Sequence, residues 1–356
     1  MALSTRHQQL GNLNLQELVA LRHDLHAHPE IAGEEEHTAS RIVEYLKKYE
    51  PDKIITGLGG HGVAAVFNGA SSGKRVLVRA ELDALPIAEF NELSYRSINA
   101  GKGHKCGHDG HMTMVAGLAQ IYGKTRPARG DVVLMFQPAE EPGQGAQAVC
   151  ADPQFADIRP DYAFALHNIP GEEMGAVLCK PGPFSSSVES IVVKIKGRTS
   201  HAAEPEEALS AGAAMAPILT WIYDRKNLDK TDENFMRLAV TGISSGEQDA
   251  YGITAGDGEF SVSLRARTPE NLEVLRREFK AKVECEIANY NQKHQSSNGL
   301  TLTFIEGIEP FRTNTNDLDA VETVRRAATL NNFNYKELEV PYPWGEDFGI
   351  FTNLEG

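Results

Sequence analysis

The chain has 356 residues, more than one hydrophobic core of ordinary size holds, so we expect two domains. Hydrophobic residues make up 41% and charged residues 24% of the chain, as in an ordinary globular protein. Its 49 acidic and 35 basic residues give a formal net charge of −14, which argues against binding nucleic acid or an anionic membrane through bulk electrostatics.

The amino terminus and the cysteines favour a cytoplasmic location. Residues 1–18 contain no long apolar run and no small-residue cleavage site, so we expect no signal peptide. No window of about 18 apolar residues predicts a membrane span. The cysteines show no disulfide-like spacing, as expected in a reducing compartment. They are Cys106, Cys150, Cys179 and Cys285.

The first half of the chain has the pattern of an α/β domain. Leu15, Leu18, Val19 and Leu25 predict one apolar face of a helix that Pro29 ends, and a second helix is expected at about 36–49. Near-continuous apolar runs then alternate with helical segments, which predicts a sheet covered on both faces. The predicted strands are 62–67, 75–80, 131–136 and 162–167.

A different pattern begins near residue 187, where the sequence alternates like a half-exposed antiparallel strand. Two helices and about four strands predict a small α+β domain. Its further elements are helix 208–223, strands 236–243 and 259–268, helix 269–291 and strand 300–307. A helix at 317–330 then returns to the first domain. We therefore predict that a domain at 183–308 is inserted within a larger one formed by 1–182 and 309–356.

Polar side chains follow three of the predicted strands. Glu81 and Asp83 come after the second strand, Glu140 and Glu141 after the third, and His167 ends the fourth. Ligands of open α/β sheets bind beyond the carboxyl ends of the strands, so these groups are expected at one edge. A further segment, "GKGHKCGHDGHMTM" (101–114), leads into a helix and brings His104, Cys106, His108 and His111.

Taken singly, these residues have ordinary explanations. His108 or His111 alone is more often a capping or surface histidine, His167 a core histidine, and Glu140–Glu141 a solvated pair. A nucleophilic Cys106 with a histidine base is another reading, but nearby carboxylates have no role in it and raise the pKa of a thiol. Together the groups favour a divalent metal, which needs anionic and imidazole ligands.

The motifs resemble those of the M20 metallopeptidases, in the same order along the chain. They are "RHDLHAHPE", "ELDALPI", "CGHDGH", "QPAEEPGQGA", "ALHNIPG", "PGPFSSS", "SHAAEP" and "GEDF". The resemblance is to the amidohydrolase branch, with its hippurate hydrolases, N-acyl-amino-acid deacylases and plant auxin-conjugate hydrolases. It implies an α/β fold in which a mixed-sheet catalytic domain with helices on both faces holds two divalent metals (Zn, Mn, Ni or Co). It also implies an inserted α+β lid domain that carries the contact of a homodimer.

The resemblance also implies roles for individual residues. The metal ligands are expected to be Cys106, His108, Glu141 and His167. Glu140 is expected to be the general base, and Asp83 to orient His108. His201 is expected to hold the carbonyl oxygen of the substrate, and Arg265 to grip its carboxylate. The implied reaction is metal-dependent hydrolysis of the amide bond of a small N-acyl amino acid.

Two other functions stay open. A dipeptidase or carboxypeptidase of the same superfamily usually carries a bridging aspartate where this chain has Cys106. A catalytically impaired scaffold is the second alternative, because the family's last metal-binding histidine, expected after "GEDF", is not found before Gly356. On that basis the second metal site is expected to be incomplete.

Two further departures from the motifs of the family are present. The acidic motif reads Glu81-Leu82-Asp83 instead of Asp-Met-Asp, and a lid asparagine is not evident in "AYGITAGDGEF".

Overall fold

The structure is a computed structural model that describes residues 13–225, 229, 231–294 and 298–352. The chain forms two compact units. The first unit runs to Gly182 and also contains Thr315–Leu338 and the segment that begins at Asp347. The second unit comprises Pro183–Asn314 and Glu339–Glu346. None of the described helices is both long enough and apolar enough to cross a membrane.

The first unit begins with two helices that pack on a sheet. Its elements up to residue 179 are α1 (Leu15–Ala27), α2 (Glu36–Lys47), β1 (Lys53–Leu58), β2 (Gly62–Phe67), β3 (Arg75–Glu81), α3 (His108–Lys124), β4 (Asp131–Gln137), α4 (Gly145–Ala151), β5 (Tyr162–Ala165) and β6 (Ala176–Cys179). The four predicted strands are therefore present. The predicted face of α1 was partly wrong, because Leu15 and Val19 are exposed. The buried stripe is Leu18, Leu21 and Leu25, spaced three and four residues apart.

The five-stranded sheet of the first unit has the order β1-β2-β4-β3-β5. β1 and β2 pair antiparallel, as do β2 and β4, whereas β3 lies parallel to both β4 and β5. The sheet is therefore mixed, as predicted. Its three parallel strands β3, β4 and β5 end at the same edge, which we call the rim. Residues that follow Glu81, Gln137 and Ala165 consequently emerge close together.

Alternate residues of the central strands face opposite cores, so both faces of the sheet are covered. Val63, Ala65 and Phe67 of β2 belong to the core that includes Leu25, Leu46 and Met112 from the three helices α1 to α3. Ala64 and Val66 belong to a second core on the other face, which includes Val149 of α4. This arrangement confirms the predicted α/β class.

The second unit is a four-stranded antiparallel sheet with two helices. After β7 (Gly182–Pro183), its elements are β8 (Ser187–Lys196), α5 (Ala211–Asp224), β9 (Met236–Ser245), β10 (Gly258–Ala266), α6 (Pro269–His294) and β11 (Thr301–Phe311). The strand order is β11-β8-β10-β9. Ser210 caps the start of α5, because its side-chain oxygen accepts a hydrogen bond from the backbone amide of Ala213. Both helices pack on the sheet around Phe260 and Phe279.

The chain then returns to the first unit through β12 (Thr315–Asn316), α7 (Leu318–Leu330), β13 (Asn334–Glu337) and α8 (Gly349–Thr352). Asp317 caps α7 by accepting the amides of Asp319 and Ala320. The second unit extends past residue 308 because β11 runs to Phe311 instead of ending at 307. The assignment of these units as catalytic and lid domains stays a prediction.

Candidate metal centre

The rim collects the polar groups that follow the three parallel strands. Glu81 ends β3 and Asp83 lies two residues beyond it, while Glu140 and Glu141 follow β4. His167 follows β5. The helix α3 begins at His108 at the same place, since its imidazole contacts Asp83. The donors predicted from separate segments of the first unit are therefore neighbours in space.

Gly107 sets the approach of α3 to the segment after β5. It has a φ of +103°, which L side chains rarely adopt, and a Cβ there would meet the Asn168 side-chain oxygen at 2.2 Å. This close passage puts the Cys106 thiol 3.3 Å from Nε2 of His167. The thiol and the imidazole come from positions 61 residues apart. A glycine is thus required for the two groups to meet.

Two histidines have the tautomer that metal ligands need. Nδ1 of His108 lies 2.7 Å from the Asp83 carbonyl oxygen, and Nδ1 of His167 lies 2.8 Å from the Asn168 carbonyl oxygen. A carbonyl only accepts, so each Nδ1 carries the hydrogen and each neutral ring keeps its lone pair on Nε2. Within the described part of the chain, the buried Nε2 of His108 has no hydrogen-bond partner.

Donor separations match those around a tetrahedral cation. Metal–ligand distances of about 2.0–2.3 Å imply that neighbouring donors lie about 3.3–3.8 Å apart. Cys106 Sγ and His167 Nε2 are 3.3 Å apart, and His108 Nε2 lies 3.8 Å from Glu140 Oε2 and 3.8 Å from Glu141 Oε1. Cys106, His108 and His167 form one group that a metal ion fits, and His108 with both glutamates forms another. The residues present therefore fit a divalent cation.

The electrostatics of this cluster also favour a cation. Burial lowers the pKa of His108, but the carboxylate of Glu81 and the contacts with Asp83 and Cys106 raise it well above the usual value. Burial raises the pKa of the Cys106 thiol. Anionic groups thus surround a buried imidazole and draw positive charge towards it. A metal ion in the same place would supply that charge and stabilise the thiolate.

Asp83 contacts two of the predicted residues through different atoms. Its backbone carbonyl accepts the His108 Nδ1 hydrogen, whereas the nearer carboxylate oxygen lies 3.6 Å from Nδ1. Oδ2 of Asp83 accepts the backbone amide of Glu141 at 2.9 Å. The carboxylate therefore fixes the turn that carries the paired glutamates, and the backbone orients the imidazole. The sequence did not predict this division.

A buried charge network behind the cluster was missed at the sequence level. Arg79, fully buried, donates to Glu81 and, at 2.6 Å, to Asp347. Glu81 lies 2.8 Å from His111 Nδ1, and His111 Nε2 lies 2.7 Å from Asn168 Oδ1. Burial raises the pKa of Glu81, but the charges of Arg79 and of the histidines lower it well below its usual value. The spacing of His108 and His111 was the available signal, since residues three apart share one helix face.

Glu35 is a second missed residue. It precedes α2, is fully buried, and its Oε1 accepts the backbone amide of Ala139 at 2.8 Å. Burial and the neighbouring carboxylate of Asp83 raise the pKa of Glu35. Ala139 has a φ of 50°, in the left-handed region, and immediately precedes Glu140. No pattern in the sequence linked Glu35 to the glutamate turn.

The last two predicted residues belong to the second unit. His201 is exposed, and its Nδ1 accepts the Ala203 amide at 3.1 Å. Arg265 donates to the Pro343 carbonyl at 3.3 Å, and burial lowers the pKa of its guanidinium. Their roles stay predictions. The same holds for the catalytic and ligand roles predicted for the residues of the cluster.

Comparison with known proteins assigns the family. Residues 77–356 match Peptidase family M20/M25/M40, so the chain belongs to this family, as its motifs predicted. It is therefore an enzyme that hydrolyses amide bonds. An N-acetyldiaminopimelate deacetylase of Listeria innocua serovar 6a is 29% identical over 346 residues, which cover 95% of this chain and 88% of that protein. The deacetylase of the same name from Bacillus pumilus is 30% identical over 272 residues, or 76% of this chain and 71% of the relative.

Solved structures support the same fold. A Bacillus subtilis protein, described as a dinuclear metal-binding peptidase from the M20 family, has a TM-score of 0.72 at 25% identity and covers 95% of this chain and 86% of its own. An aminobenzoyl-glutamate utilization protein from Klebsiella pneumoniae has a TM-score of 0.71 at 18% identity, over 99% of this chain and 89% of its own. This second likeness concerns the fold alone.

Proposed function

We propose that the protein is a metal-dependent amidohydrolase that cleaves the amide bond of N-acyl amino acids. The observation that carries the proposal is one cluster of a thiol, two imidazole Nε2 atoms and two carboxylates. Within it Cys106 and His167 lie 3.3 Å apart, and His108 lies 3.8 Å from each glutamate. These sulfur, nitrogen and oxygen donors come from three segments, and the two buried members, His108 and Glu140, are costly in a core unless they are satisfied.

Cys106, His108, Glu141 and His167 would hold the metal. A divalent cation bound there would polarise the attacking water and the substrate carbonyl. We propose Zn, Mn, Ni or Co, since thiolate, imidazole and carboxylate donors are compatible with all four. The description of the Bacillus subtilis relative as a dinuclear metal-binding peptidase supports two cations.

Glu140 would act as the general base. Its carboxylate lies 3.8 Å from Nε2 of His108, beside the proposed metal position. It would take a proton from the attacking water as the water oxygen bonds to the carbonyl carbon. As the carbon–nitrogen bond breaks, the same carboxyl would give that proton to the leaving amine. Asp83 would keep Glu140 in place through the amide of Glu141.

The substrate is proposed to be a small N-acyl amino acid. The names of the Listeria and Bacillus relatives, which act on N-acetyldiaminopimelate, support this class. We propose that His201 contacts the carbonyl oxygen and that Arg265 contacts the carboxylate. A panel of N-acetyl, N-benzoyl and dipeptide substrates tests the assignment, because preference for dipeptides would favour a dipeptidase or carboxypeptidase instead.

The assembly and location are further parts of this proposal. We propose a homodimer formed through residues 183–308 and a cytoplasmic location. The location is proposed on the scattered spacing of the four cysteines in the sequence. Sedimentation of the full chain and of a chain lacking 183–308 would measure the contribution of that region to the dimer.

The two adjacent glutamates give a matched test of the site. Glu140→Gln should keep its metal while kcat falls by about 10²–10⁴-fold, because only the proton acceptor is lost. Glu141→Gln should lose metal as well as activity. Metal content by elemental analysis and turnover of an N-acetyl amino acid are the two measurements. Full activity in Glu140→Gln, or unchanged metal content in Glu141→Gln, would contradict these roles.

A further inference from the structure

The turn that carries the paired glutamates has a strained backbone. Ala139 has a φ of 50°, a conformation that is sterically unfavourable for an L residue but not for glycine. This conformation directs the chain from β4 into Glu140 and Glu141. A residue in the left-handed region persists only when its surroundings hold it there.

Buried carboxylates from three distant segments bind backbone amides of this turn and of α4, the helix that follows it. Glu35 accepts the amide of Ala139 at 2.8 Å, Asp83 the amide of Glu141 at 2.9 Å, and Asp347 the amide of Ala146 at 2.8 Å. Of these three carboxylates only Glu35 binds Ala139 itself, whose carbonyl oxygen also accepts the backbone amide of Gly145 at 2.8 Å. Its carboxylate is fully buried, and its second oxygen has no hydrogen-bond partner within the described residues. Burial of a carboxylate is costly, so the hydrogen bonds that it accepts are needed to keep it in a core.

We propose that Glu35 is a positioning residue for the general base, because its hydrogen bond holds Ala139 in the left-handed conformation that aims Glu140. The inference rests on the proposed role of Glu140. Loss of the bond allows Ala139 to relax towards negative φ, and the carboxyl of Glu140 then moves relative to His108. Misplacement of a reacting group by about 1 Å can cost about 100-fold in rate.

Two conservative variants of Glu35 distinguish the effect of side-chain length from the effect of charge. Glu35→Gln retains an acceptor oxygen at the same distance from Ala139, whereas Glu35→Asp retains the carboxylate but is one methylene too short. We expect Glu35→Asp to lower kcat by about 10- to 100-fold with KM within a few-fold of wild type. Glu35→Gln should stay within a few-fold of wild type in both constants. The exposed neighbour Glu36, changed to Gln, is the control.

A second-site change tests the backbone argument itself. Glycine adopts a φ of about +50° without penalty, so Ala139→Gly should restore several-fold of the kcat lost in Glu35→Asp. Backbone amide hydrogen exchange of the segment 137–145 supplies a readout that needs neither metal nor substrate. Exchange should be faster in Glu35→Asp than in wild type and Glu35→Gln.

Three results would contradict the proposed role of Glu35. Equal exchange in wild type and Glu35→Asp contradicts the proposal, as does a Glu35→Gln variant as slow in turnover as Glu35→Asp. A failure of Ala139→Gly to restore any turnover contradicts the left-handed constraint. If wild type hydrolyses no N-acyl amino acid, the proposed function fails, while the exchange measurement still decides whether Glu35 holds the turn.

Discussion

The two units of the molecule are stabilised in different ways. The core of the second unit is apolar, with Phe260, Leu275 and Phe279 packed between its helices and its sheet. The first unit has apolar cores too, but beneath its rim it buries an arginine, carboxylates and histidines. Those buried groups are Arg79, Glu81, Asp83, His108, His111 and Asp347.

Because of this difference, the two units respond differently to substitution. Apolar burial contributes about 25 cal/mol per Å² whatever the partner, so the second unit tolerates exchanges of similar volume. A buried charge stabilises only while its partner is present, so the network under the rim depends on every member. The first unit thus holds its donors in fixed positions through a network that fails when any one partner is removed.

The largest expected effect comes from Arg79. Arg79→Met leaves the carboxylates of Glu81 and Asp347 buried without their cation, which should lower the free energy of unfolding by about 3–5 kcal/mol. The measurement is urea denaturation. Arg75→Met on the same strand is the control, because the half-exposed pair of Arg75 with Asp131 is worth about 1 kcal/mol or less. Equal losses in both variants would contradict the importance of the buried network.

Phe279 tests the apolar unit in the same way. Phe279→Ala should cost about 3–5 kcal/mol of stability through the cavity it leaves. It should not change metal content, whereas Arg79→Met should lower it because Glu81 supports His111. Val274→Ala, an exposed position of α6, is expected to change stability by about 0.5 kcal/mol or less. Loss of metal in Phe279→Ala would show that the two regions are not independent.

His111 should have a smaller effect, on metal affinity. Its ring links Glu81 to Asn168, the residue next to the proposed ligand His167. His111→Asn should weaken metal binding by about 10- to 100-fold, as is typical when a partner of a ligand is removed. Titration calorimetry with Zn²⁺ measures this, and His37→Asn on the exposed surface of α2 should match wild type. An unchanged affinity in His111→Asn would remove this residue from the site.

The smallest effect concerns stability in acid. Burial raises the pKa of Glu89, but hydrogen bonds from the Ser97 amide and His26, together with the charge of Lys105, lower it to about 2 from 4.5. The stabilisation by Glu89 is therefore complete above pH 4.5 and lost as the pH falls towards 2. Glu89→Gln should show a smaller drop in Tm between pH 6 and pH 3 than wild type and the exposed control Glu92→Gln. An equal drop in all three proteins would contradict the shift.

Much of the fold was predictable because short-range patterns determine it. Apolar runs predicted β2, β3 and β4 within one residue at each end, and the polar residues after those strands predicted where donors meet. Pairings over long separations were not predictable. Arg79 and Asp347 are 268 positions apart, and the hydrogen bond from Ala139 to Glu35 spans 104 positions. Such contacts depend on how whole elements pack, which no local pattern records.

An anomalous difference map from a crystal grown with Zn²⁺ would test whether separate segments of the first unit enclose one cation. We expect a peak at about 2.3 Å from Cys106 Sγ and at about 2.0–2.1 Å from Nε2 of His108 or His167. The same map for His108→Ala should lose that peak. A peak only at other residues, or none with Zn²⁺ in excess, would contradict a metal centre at the rim.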